Sequence, residues 1–505
     1  HYQLAQCYLR LGVYPSAFES LNRAVDSNPE LMKAQIDLGN LLLAGRRFDE
    51  AQAKARLVLE KEPNNPDAHI LLANSLAVLD NVEASIAEMQ KAIELAPDRP
   101  NTYLNLAYLQ LNAQQAQAAE QSFRKAIELD PKAIGPRLAL GNFYQQQKKW
   151  PQAEAEFTAA AQAAPDSHLP VAALARLAVY QGEVQKAEQI LLQAKSTLSQ
   201  NPEGYRLLGE FYFSMGDVSR AVAEFASLHQ QYPNDLKVKK NYVQLLILMD
   251  RLEEASKLND EILQASSRDV EGLIHRGQIL NRRGEYNESI RVLEAALKID
   301  NDNPVARYHL GVAYDATGNL ERAEREWREA ARLRPAMLAA QQALSAVAMR
   351  KGDWDLLRQA AEQIITSAPT QPAGYILRGN ERLARNDRAG AEASFRKAIE
   401  VAPTHPAGYN ASGFYQLAAR NFAQAERLFE QALDRDPASV EAMQGLANTL
   451  LEMKQPARAA ARVQSQLERV PERAGFYRVL GQVLATNNEL EKEEAAFRRA
   501  TELDS

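Results

Sequence analysis

The sequence predicts an all-α solenoid of about fifteen helix–turn–helix repeats of 34 residues each, and two periodic features indicate it. Eleven prolines are spaced by 34 residues or a multiple of 34, at positions 29, 63, 97, 131, 165, 233, 335, 369, 403, 437 and 471. Small residues keep the same period ten residues further on, beginning with Gly39, Ala73, Ala107 and Gly141. A fixed period of this length is typical of stacked repeats.

The prolines predict two helices in each repeat. All 22 prolines of the sequence fall into three windows of the 34-residue frame: the end of a repeat, the start of the next one, and its middle. Because a proline inside a helix costs about 3 kcal/mol, helices are expected only between these windows. Each repeat keeps two proline-free stretches of about 13 residues, a length that suits two short helices.

Glycine marks the turn between the two helices. One frame position in the middle of the repeat carries Gly12, Gly182, Gly216, Gly284, Gly318 and Gly352. A helix often ends on a residue in the left-handed conformation, which glycine adopts most easily. Each repeat is therefore predicted to be a helical hairpin.

Small residues at fixed positions explain how such hairpins pack. The second helix carries alanine at Ala17, Ala51, Ala119, Ala153, Ala187, Ala221, Ala255, Ala323, Ala391, Ala425 and Ala459. A large side chain there would separate the helices, at a cost of roughly 1–3 kcal/mol. Large apolar side chains are predicted to fill the remaining seam, at Phe123, Phe157, Phe225, Trp327, Phe395, Phe429 and Phe497. One hairpin cannot bury its apolar face alone, so neighbouring repeats are expected to share a core.

The predicted array is a single continuous one over residues 1–505. Its repeats are 1–31, 32–65, 66–99, 100–133, 134–167, 168–201, 202–235, 236–269, 270–303, 304–337, 338–371, 372–405, 406–439, 440–473 and 474–505.

The repeat resembles the tetratricopeptide repeat. The resemblance rests on Tyr103–Ala107 followed by Ala119, Phe123, Ala126 and Pro131, and on Tyr308 to Gly311 followed by Ala323, Trp327 and Ala330. It implies a right-handed superhelix whose first helices line a concave groove. In the family, extended peptides or partner segments bind in that groove.

Composition excludes several classes of protein. Apolar residues make up 46% of the sequence and charged residues 25%, with a net charge of −6, so the basic excess of a nucleic-acid binder is missing. A single cysteine, Cys7, excludes a disulfide framework and a cysteine-based zinc site. The longest aliphatic run, 245–249, is far shorter than the roughly 18 residues of a membrane span.

No sequence motif indicates catalysis, a cofactor or a metal. The sequence has no phosphate-binding Gly-x-Gly-x-x-Gly run and no His-Glu-x-x-His motif. His275 and His309 lie 34 residues apart and are expected side by side in neighbouring repeats. No third ligand lies in phase with them, so a structural role is expected rather than a metal site or a proton-linked site. The protein is predicted not to be an enzyme.

The candidate binding residues follow from the groove that the resemblance implies. The fifth position of four early repeats is aliphatic, and one helical turn later the ninth position carries amides and one tyrosine. These residues are Ile36, Asn40, Ile70, Asn74, Leu104, Tyr108, Leu138 and Asn142. They predict an apolar stripe beside amides that bind an extended backbone; alternatively, the aliphatic side chains pack against neighbouring helices. Further along, the predicted groove becomes charged at Arg176, Arg206 and Lys240.

A scaffold that binds protein or peptide partners is the function that these patterns favour. Long arrays of this kind resemble bacterial scaffolds of envelope or exopolysaccharide export machinery, so the periplasm or cell surface is expected ahead of the cytoplasm. Neither end of the sequence has the polar outer face of a capping repeat. The protein is therefore expected to be a segment of a longer one, or else to assemble head to tail into filaments. A third alternative is the recognition arm of a larger enzyme.

Overall fold

A computed structural model describes residues 1–79, 81–486 and 489–504. Residues 80, 487, 488 and 505, which fall within the predicted repeats 66–99 and 474–505, lie outside the described residues. Throughout the described ranges the secondary structure is helical, with turns between helices and no strand. The all-α solenoid predicted from the sequence is confirmed.

The helices form two compact units, His1–Val238 and Lys239–Ser505. The N-terminal unit holds α1 (Tyr2–Arg10), α2 (Tyr14–Ser27), α3 (Met32–Ala44), α4 (Phe48–Lys61), α5 (Pro66–Val78), α6 (Val82–Leu95), α7 (Pro100–Asn112), α8 (Ala116–Leu129), α9 (Ile134–Gln146), α10 (Trp150–Ala163), α11 (His168–Tyr180), α12 (Val184–Thr197), α13 (Pro202–Ser214), α14 (Val218–Gln231) and the start of α15 (Leu236–Leu248).

Over its described residues, the C-terminal unit continues from α15 with fifteen further helices. They are α16 (Leu252–Ala265), α17 (Val270–Arg283), α18 (Tyr286–Ile299), α19 (Pro304–Ala316), α20 (Leu320–Leu333), α21 (Leu338–Lys351), α22 (Trp354–Ser367), α23 (Pro372–Ala384), α24 (Arg388–Val401), α25 (Pro406–Ala418), α26 (Phe422–Arg435), α27 (Val440–Glu452), α28 (Pro456–Arg469), α29 (Ala474–Thr486) and α30 (Leu490–Asp504). Each predicted repeat thus holds two helices, while the repeat boundaries and the single continuous array stay predictions.

Local sequence explains where the first helices begin. Asn65, Asn201 and Asn303 cap α5, α13 and α19, and each side-chain oxygen accepts hydrogen bonds from two backbone N–H groups of the first turn. A proline follows each of these caps as the first helical residue. Proline is favoured there because its missing N–H would have no partner within the helix.

The turn between the two helices of a repeat is left-handed, as the glycines predicted. Gly12, Gly182, Gly216, Gly284, Gly318 and Gly352 have φ between 69° and 81°. The same frame position has positive φ where the residue is not glycine, at Arg46, Gln114, Lys148, Asp250, Asn386, Arg420 and Lys454. The period therefore sets this conformation whatever residue stands there.

The predicted packing positions are buried. Every alanine in the second-helix series is fully buried, from Ala17 to Ala459. The large seam residues are buried as well, from Phe123 to Phe429, and Phe497 is the exception with 37% of its surface exposed. Phe497 nevertheless lies against Gly481 of the preceding helix, as its equivalents do.

The two helices of a repeat occupy different layers within each unit. Each second helix packs against the first helix of its own repeat and against the first helix of the next one, as α8 does with α7 and α9. First helices also contact each other, as in the pairs α3–α5, α9–α11, α17–α19 and α25–α27. In the described part of the protein, second helices make no contact of that extent with one another. The first helices therefore form a layer of their own.

No helix within residues 1–79, 81–486 and 489–504 has both the length and the apolar character needed to cross a membrane.

Candidate functional site

The candidate site is a face of the first-helix layer in the N-terminal unit. We define the first-helix face as the fifth and ninth positions of four successive repeats: Ile36 and Asn40 on α3, Ile70 and Asn74 on α5, Leu104 and Tyr108 on α7, and Leu138 and Asn142 on α9. Residues four apart lie on the same side of a helix. The frame thus gives this face one aliphatic and one polar or aromatic position per repeat.

The aliphatic residues of the face mainly support the core. Ile36 is buried with Val58. Ile70, Leu104 and Leu138 are half-buried. Ile70 packs against the hydrophobic cluster that contains Met89, and Leu104 and Leu138 pack against the one that contains Phe123. Ile36 therefore offers a partner almost no surface, and the other three offer only an edge.

Two asparagines of the face, Asn40 and Asn74, are accessible and have no side-chain partner among the described residues. Asn40 is exposed and Asn74 is half-buried. Within the part of the protein that the structure describes, neither side-chain amide forms a hydrogen bond. An asparagine amide carries two donors and one acceptor, which match the C=O and N–H groups of a peptide backbone. These amides can therefore bind a backbone without first breaking an internal bond.

Asn142 connects the face to the next repeat. Its Oδ1 accepts a hydrogen bond of 3.0 Å from Nη2 of Arg176 on α11. Arg176 is exposed, and no described carboxylate lies within ion-pair distance of its guanidinium. Among the residues that the structure describes, the Nδ2 donors of Asn142 have no partner, so Arg176 extends the polar row without blocking it.

Exposed aromatic rings flank this row, and two of them were not among the candidates from the sequence. Tyr108 is 51% exposed, with its ring edge-on to Phe123. Tyr180 on α11 is 63% exposed and Phe213 on α13 is 46% exposed. Both lie about one helical turn beyond the ninth position. For Tyr180 the signal was an aromatic residue at a frame position that is mostly polar or small in other repeats, whereas the position of Phe213 is mostly aliphatic and gave no such signal.

Arg206 is predicted to line the groove, but the structure buries it. Only 2% of its surface is exposed. Its guanidinium pairs with Glu203 and lies 3.1 Å from Asp235. Tyr205 donates a hydrogen bond to the same carboxylate while its ring stacks on Tyr232 at 3.9 Å. Arg206 therefore joins α13 to the start of α15 rather than facing a partner.

The charge of Asp235 is maintained by these neighbours. Burial alone would raise the pKa of its carboxyl. Hydrogen bonds from Tyr205 and from the N–H of Val238, together with the charge of Arg206, outweigh burial and hold that pKa below its ordinary value. The cluster is thus a structural ion pair.

Lys240, in the C-terminal unit, is also held internally. Its Nζ lies 2.7 Å from Asp269 and 3.2 Å from Glu271. Burial would lower the pKa of Lys240, but the two carboxylates raise it above its ordinary value. The amine is therefore a charged crosslink between α15 and the start of α17.

The two in-phase histidines lie in the first-helix layer of the C-terminal unit. His275 on α17 is 3% exposed. Nε2 of Gln278, on the same helix, lies at a hydrogen-bond distance of 2.8 Å from Nε2 of His309 on α19. Asn281 donates to the backbone carbonyl of His309. Among the described residues no group of three or more His, Cys, Asp or Glu side chains could hold a metal ion. The histidines thus belong to a polar cluster between α17 and α19 in which His275 is buried and His309 is half-buried.

Comparison with protein families gives a consistent result along the sequence. A family model described as tetratricopeptide repeat matches residues 110–174, 212–272 and 416–483. Another with the same description matches 36–100 and 172–235, and one described as TPR repeat matches 277–318. Together these matches extend over more than half of the 505 residues.

Two curated proteins are similar over parts of the sequence. One is a TPR repeat-containing protein, YpiA, of Bacillus subtilis (strain 168), 28% identical over 145 residues, which are 29% of this chain and 34% of that protein. The other is the TPR repeat-containing thioredoxin TTL4 of Arabidopsis thaliana, 30% identical over 95 residues, which are 19% of this chain and 14% of that protein. The chain thus spans about a third of the first relative and a seventh of the second.

Two solved structures are similar along most of their length. A protein in the crystal structure of the APC/C hetero-tetramer Cut9–Hcn1 has a TM-score of 0.42 and 13% identity, and the match spans 95% of both proteins. A protein in the structure of Naa15/Naa10 bound to HypK-THB has a TM-score of 0.36 and 13% identity, and that match spans 100% of this chain and 93% of the other.

Proposed function

Because this chain belongs to the tetratricopeptide repeat family, we propose that it is a non-enzymatic scaffold that binds extended segments of partner proteins along the first-helix face. The repeat solenoid is typically an interaction fold rather than a catalytic one. The observation that supports this site most directly is the row of free amides at Asn40 and Asn74, which continues at Asn142.

Free, accessible amides favour recognition of a peptide backbone. A hydrogen bond to a partner contributes about 0.5–1.5 kcal/mol when no internal bond has to be broken. The fifth and ninth positions of these four repeats carry no charged residue. A partner segment is therefore recognised there through its backbone, and less through its charge.

The exposed rings add affinity to this backbone recognition. Tyrosine and phenylalanine are enriched at protein interfaces because they bury a large area with few rotatable bonds. Tyr108, Tyr180 and Phe213 lie on three first helices of the N-terminal unit. A segment that follows the amides would cover these rings with its own apolar side chains.

Peptide selection tests the proposal. Random twelve-residue peptides displayed on phage are selected against the full protein, and enriched peptides are measured by fluorescence anisotropy. Asn74→Ala combined with Asn142→Ala should weaken binding about tenfold, or about 1.4 kcal/mol, with unchanged helicity. The matched control is Gln117→Ala with Gln152→Ala, two exposed amides on second helices. Equal binding by both double variants would exclude the first-helix face.

Head-to-tail self-association is the alternative function. Light scattering separates the two functions, because a binding scaffold keeps the mass of one molecule as concentration rises whereas a filament former grows. A recognition arm of a larger enzyme would instead show catalytic sequence in the full gene.

We propose that the protein acts in bacterial envelope or export machinery, at the periplasm or cell surface, on the resemblance of long arrays alone; the relative from Bacillus subtilis supports only the bacterial part of this proposal. Fractionation of the source cells tests it: recovery in the cytoplasm would exclude this setting.

A further inference from the structure

The first-helix layer of the C-terminal unit contains a cleft of about 610 Å³. It lies across α21, α23 and α25, three successive first helices. Ligand pockets in proteins usually measure about 300–1,000 Å³, so the cleft is large enough for a bulky group. Its depth follows from small residues at frame positions where the N-terminal unit has larger ones, since Ala346 stands at the position of Asn40 and Tyr108.

The floor of the cleft is apolar. Met349, Ile376 and Leu377 line it together with Ala346 and Ala373. Met349 is exposed although it is a large apolar residue. Methionine adapts its shape to different partners because its side chain is unbranched and flexible. The floor can therefore accept an apolar group without a fixed outline.

The rim of the cleft is polar, and several of its side-chain donors and acceptors have no hydrogen-bond partner among the described residues. Gln342, Gln371 and His405 are exposed there. Nδ1 of His405 accepts a hydrogen bond from the N–H of Ala407, so the neutral ring carries its proton on Nε2 and can donate from it. Among the described residues, neither this Nε2 nor the amides of Gln342 and Gln371 have a hydrogen-bond partner. The rim thus offers free donors and acceptors around an apolar floor.

The lining also contains no aspartate, glutamate, lysine or arginine. A charged ligand group would lose its hydration in this cleft without gaining an opposite charge. An uncharged apolar side chain has no such hydration to lose. The backbone C=O and N–H groups next to it in the partner segment match the free donors and acceptors of the rim. The charge and chemistry of the lining therefore select one kind of occupant.

We propose that this cleft is a second binding site, which takes a bulky uncharged side chain from an extended segment of a partner protein. The floor holds the side chain, and Gln342, Gln371 and His405 bind the backbone on either side of it. The inference rests on the proposed scaffold function. It adds a preference for particular side chains, which the amide row lacks because its amides hydrogen-bond only to the backbone of the partner.

A subtractive selection tests the cleft. Random twelve-residue peptides on phage are selected against the full protein and then depleted on the variant Ala346→Trp, which fills the cleft from an exposed position. The surviving peptides should share a bulky apolar residue with uncharged neighbours. Their affinity should fall at least tenfold for Ala346→Trp and remain unchanged for Ala393→Trp, an exposed alanine on the second helix α24.

Ala373→Leu fills the cleft with a smaller change, and it should weaken the same peptides if Ala346→Trp alters the helicity or the urea midpoint. Three results would overturn the inference. Either no peptide remains after depletion on the variant, or the remaining peptides share a charged residue instead of a bulky apolar one. The third is a molecular mass of the protein that rises with concentration but not in Ala346→Trp, which would make a second copy of this protein the occupant of the cleft. Peptides that bind the protein regardless of Ala346→Trp, yet lose affinity in Asn74→Ala with Asn142→Ala, would refute the cleft and leave the scaffold function standing. Failure to enrich any peptide on the wild-type protein would instead refute both.

Discussion

A methyl group placed on Gly141 would lie 2.4 Å from Cε1 of Phe157, because α9 and α10 approach each other closely at this glycine. The relationship recurs with the repeat, as at Gly209 with Phe225. Real Cβ atoms do not come this close to an aromatic carbon. At Gly141 and Gly209 the missing side chain on the first helix therefore leaves the space that the ring of the second helix fills.

Gly141→Ala should destabilise α9 and α10, because the new methyl group displaces the ring of Phe157. Overpacking of this kind costs roughly 1–3 kcal/mol, against about 0.5–1 kcal/mol gained from the better helix propensity of alanine. Gly135→Ala on the same helix is the control, since its methyl would meet nothing within 4 Å. Hydrogen exchange of α9 and α10 should be faster in Gly141→Ala than in Gly135→Ala, and equal exchange would contradict this packing.

Ala221→Leu should loosen α14 within the N-terminal unit. Ala221 is fully buried, and the extra bulk of a branched leucine side chain does not fit between packed helices. We expect a loss of roughly 1–3 kcal/mol in urea unfolding followed by circular dichroism. Ala223→Leu, an exposed position on the same helix, should leave the urea midpoint nearly unchanged. The same midpoint in both variants would show that the repeat frame is misassigned.

Lys148→Gly should stabilise the protein. Lys148 has φ of 58°, which costs a residue with a side chain roughly 1–2 kcal/mol. Glycine removes that cost but loses more backbone entropy, so a net gain of about 0.5–1 kcal/mol is expected. Gly182→Ala reverses the change at the same frame position, where φ is 79°, and should destabilise. Thermal unfolding of the pair checks the prediction, which fails if both midpoints move the same way.

Periodicity made most of the fold predictable. The proline and glycine positions indicate where helices start and turn, because both residues restrict the backbone in known ways. The left-handed turn at Lys148 could not be identified from the residue type, since lysine rarely adopts it. The packing of α30 was predicted less well, because Phe497 has the right frame position but stays partly exposed.

His275 and His309 should make the C-terminal unit sensitive to acid. Burial lowers the pKa of His275 to about 4, opposed by the charges of Glu271 and Asp269 and assisted by that of Lys240. Burial also lowers the pKa of His309 to about 4, with His275 and Arg282 adding to the shift. Both rings are therefore neutral in the folded protein at neutral pH.

The sign of the pH effect follows from linkage. The unfolded protein binds protons near the ordinary histidine pKa of 6.5, whereas the folded protein binds them only near 4. The stability from these neutral rings is complete above pH 6.5 and is lost as pH falls toward 4. The urea midpoint of unfolding should decrease as the pH is lowered from 6.5 to 4. His275→Gln or His309→Gln should make this dependence of the midpoint on pH less steep. An unchanged slope in these two variants would contradict this assignment.

The candidate site was less predictable than the fold. The frame identifies the first-helix face, and short side chains such as Asn40 and Asn74 stay where the frame places them. Two of the three long side chains do not, because Arg206 bends toward Asp235 and Lys240 toward Asp269. Pairing between residues about thirty positions apart depends on side-chain geometry that the repeat pattern does not encode.

Hydrogen–deuterium exchange of the protein, with and without a peptide enriched by selection, tests the central proposal most directly. A bound segment slows exchange where it contacts the protein. The proposed scaffold function predicts protection in first helices, concentrated in α5, α7, α9 and α11 for peptides that lose affinity in Asn74→Ala with Asn142→Ala. Protection confined to second helices such as α8 and α10 would contradict it.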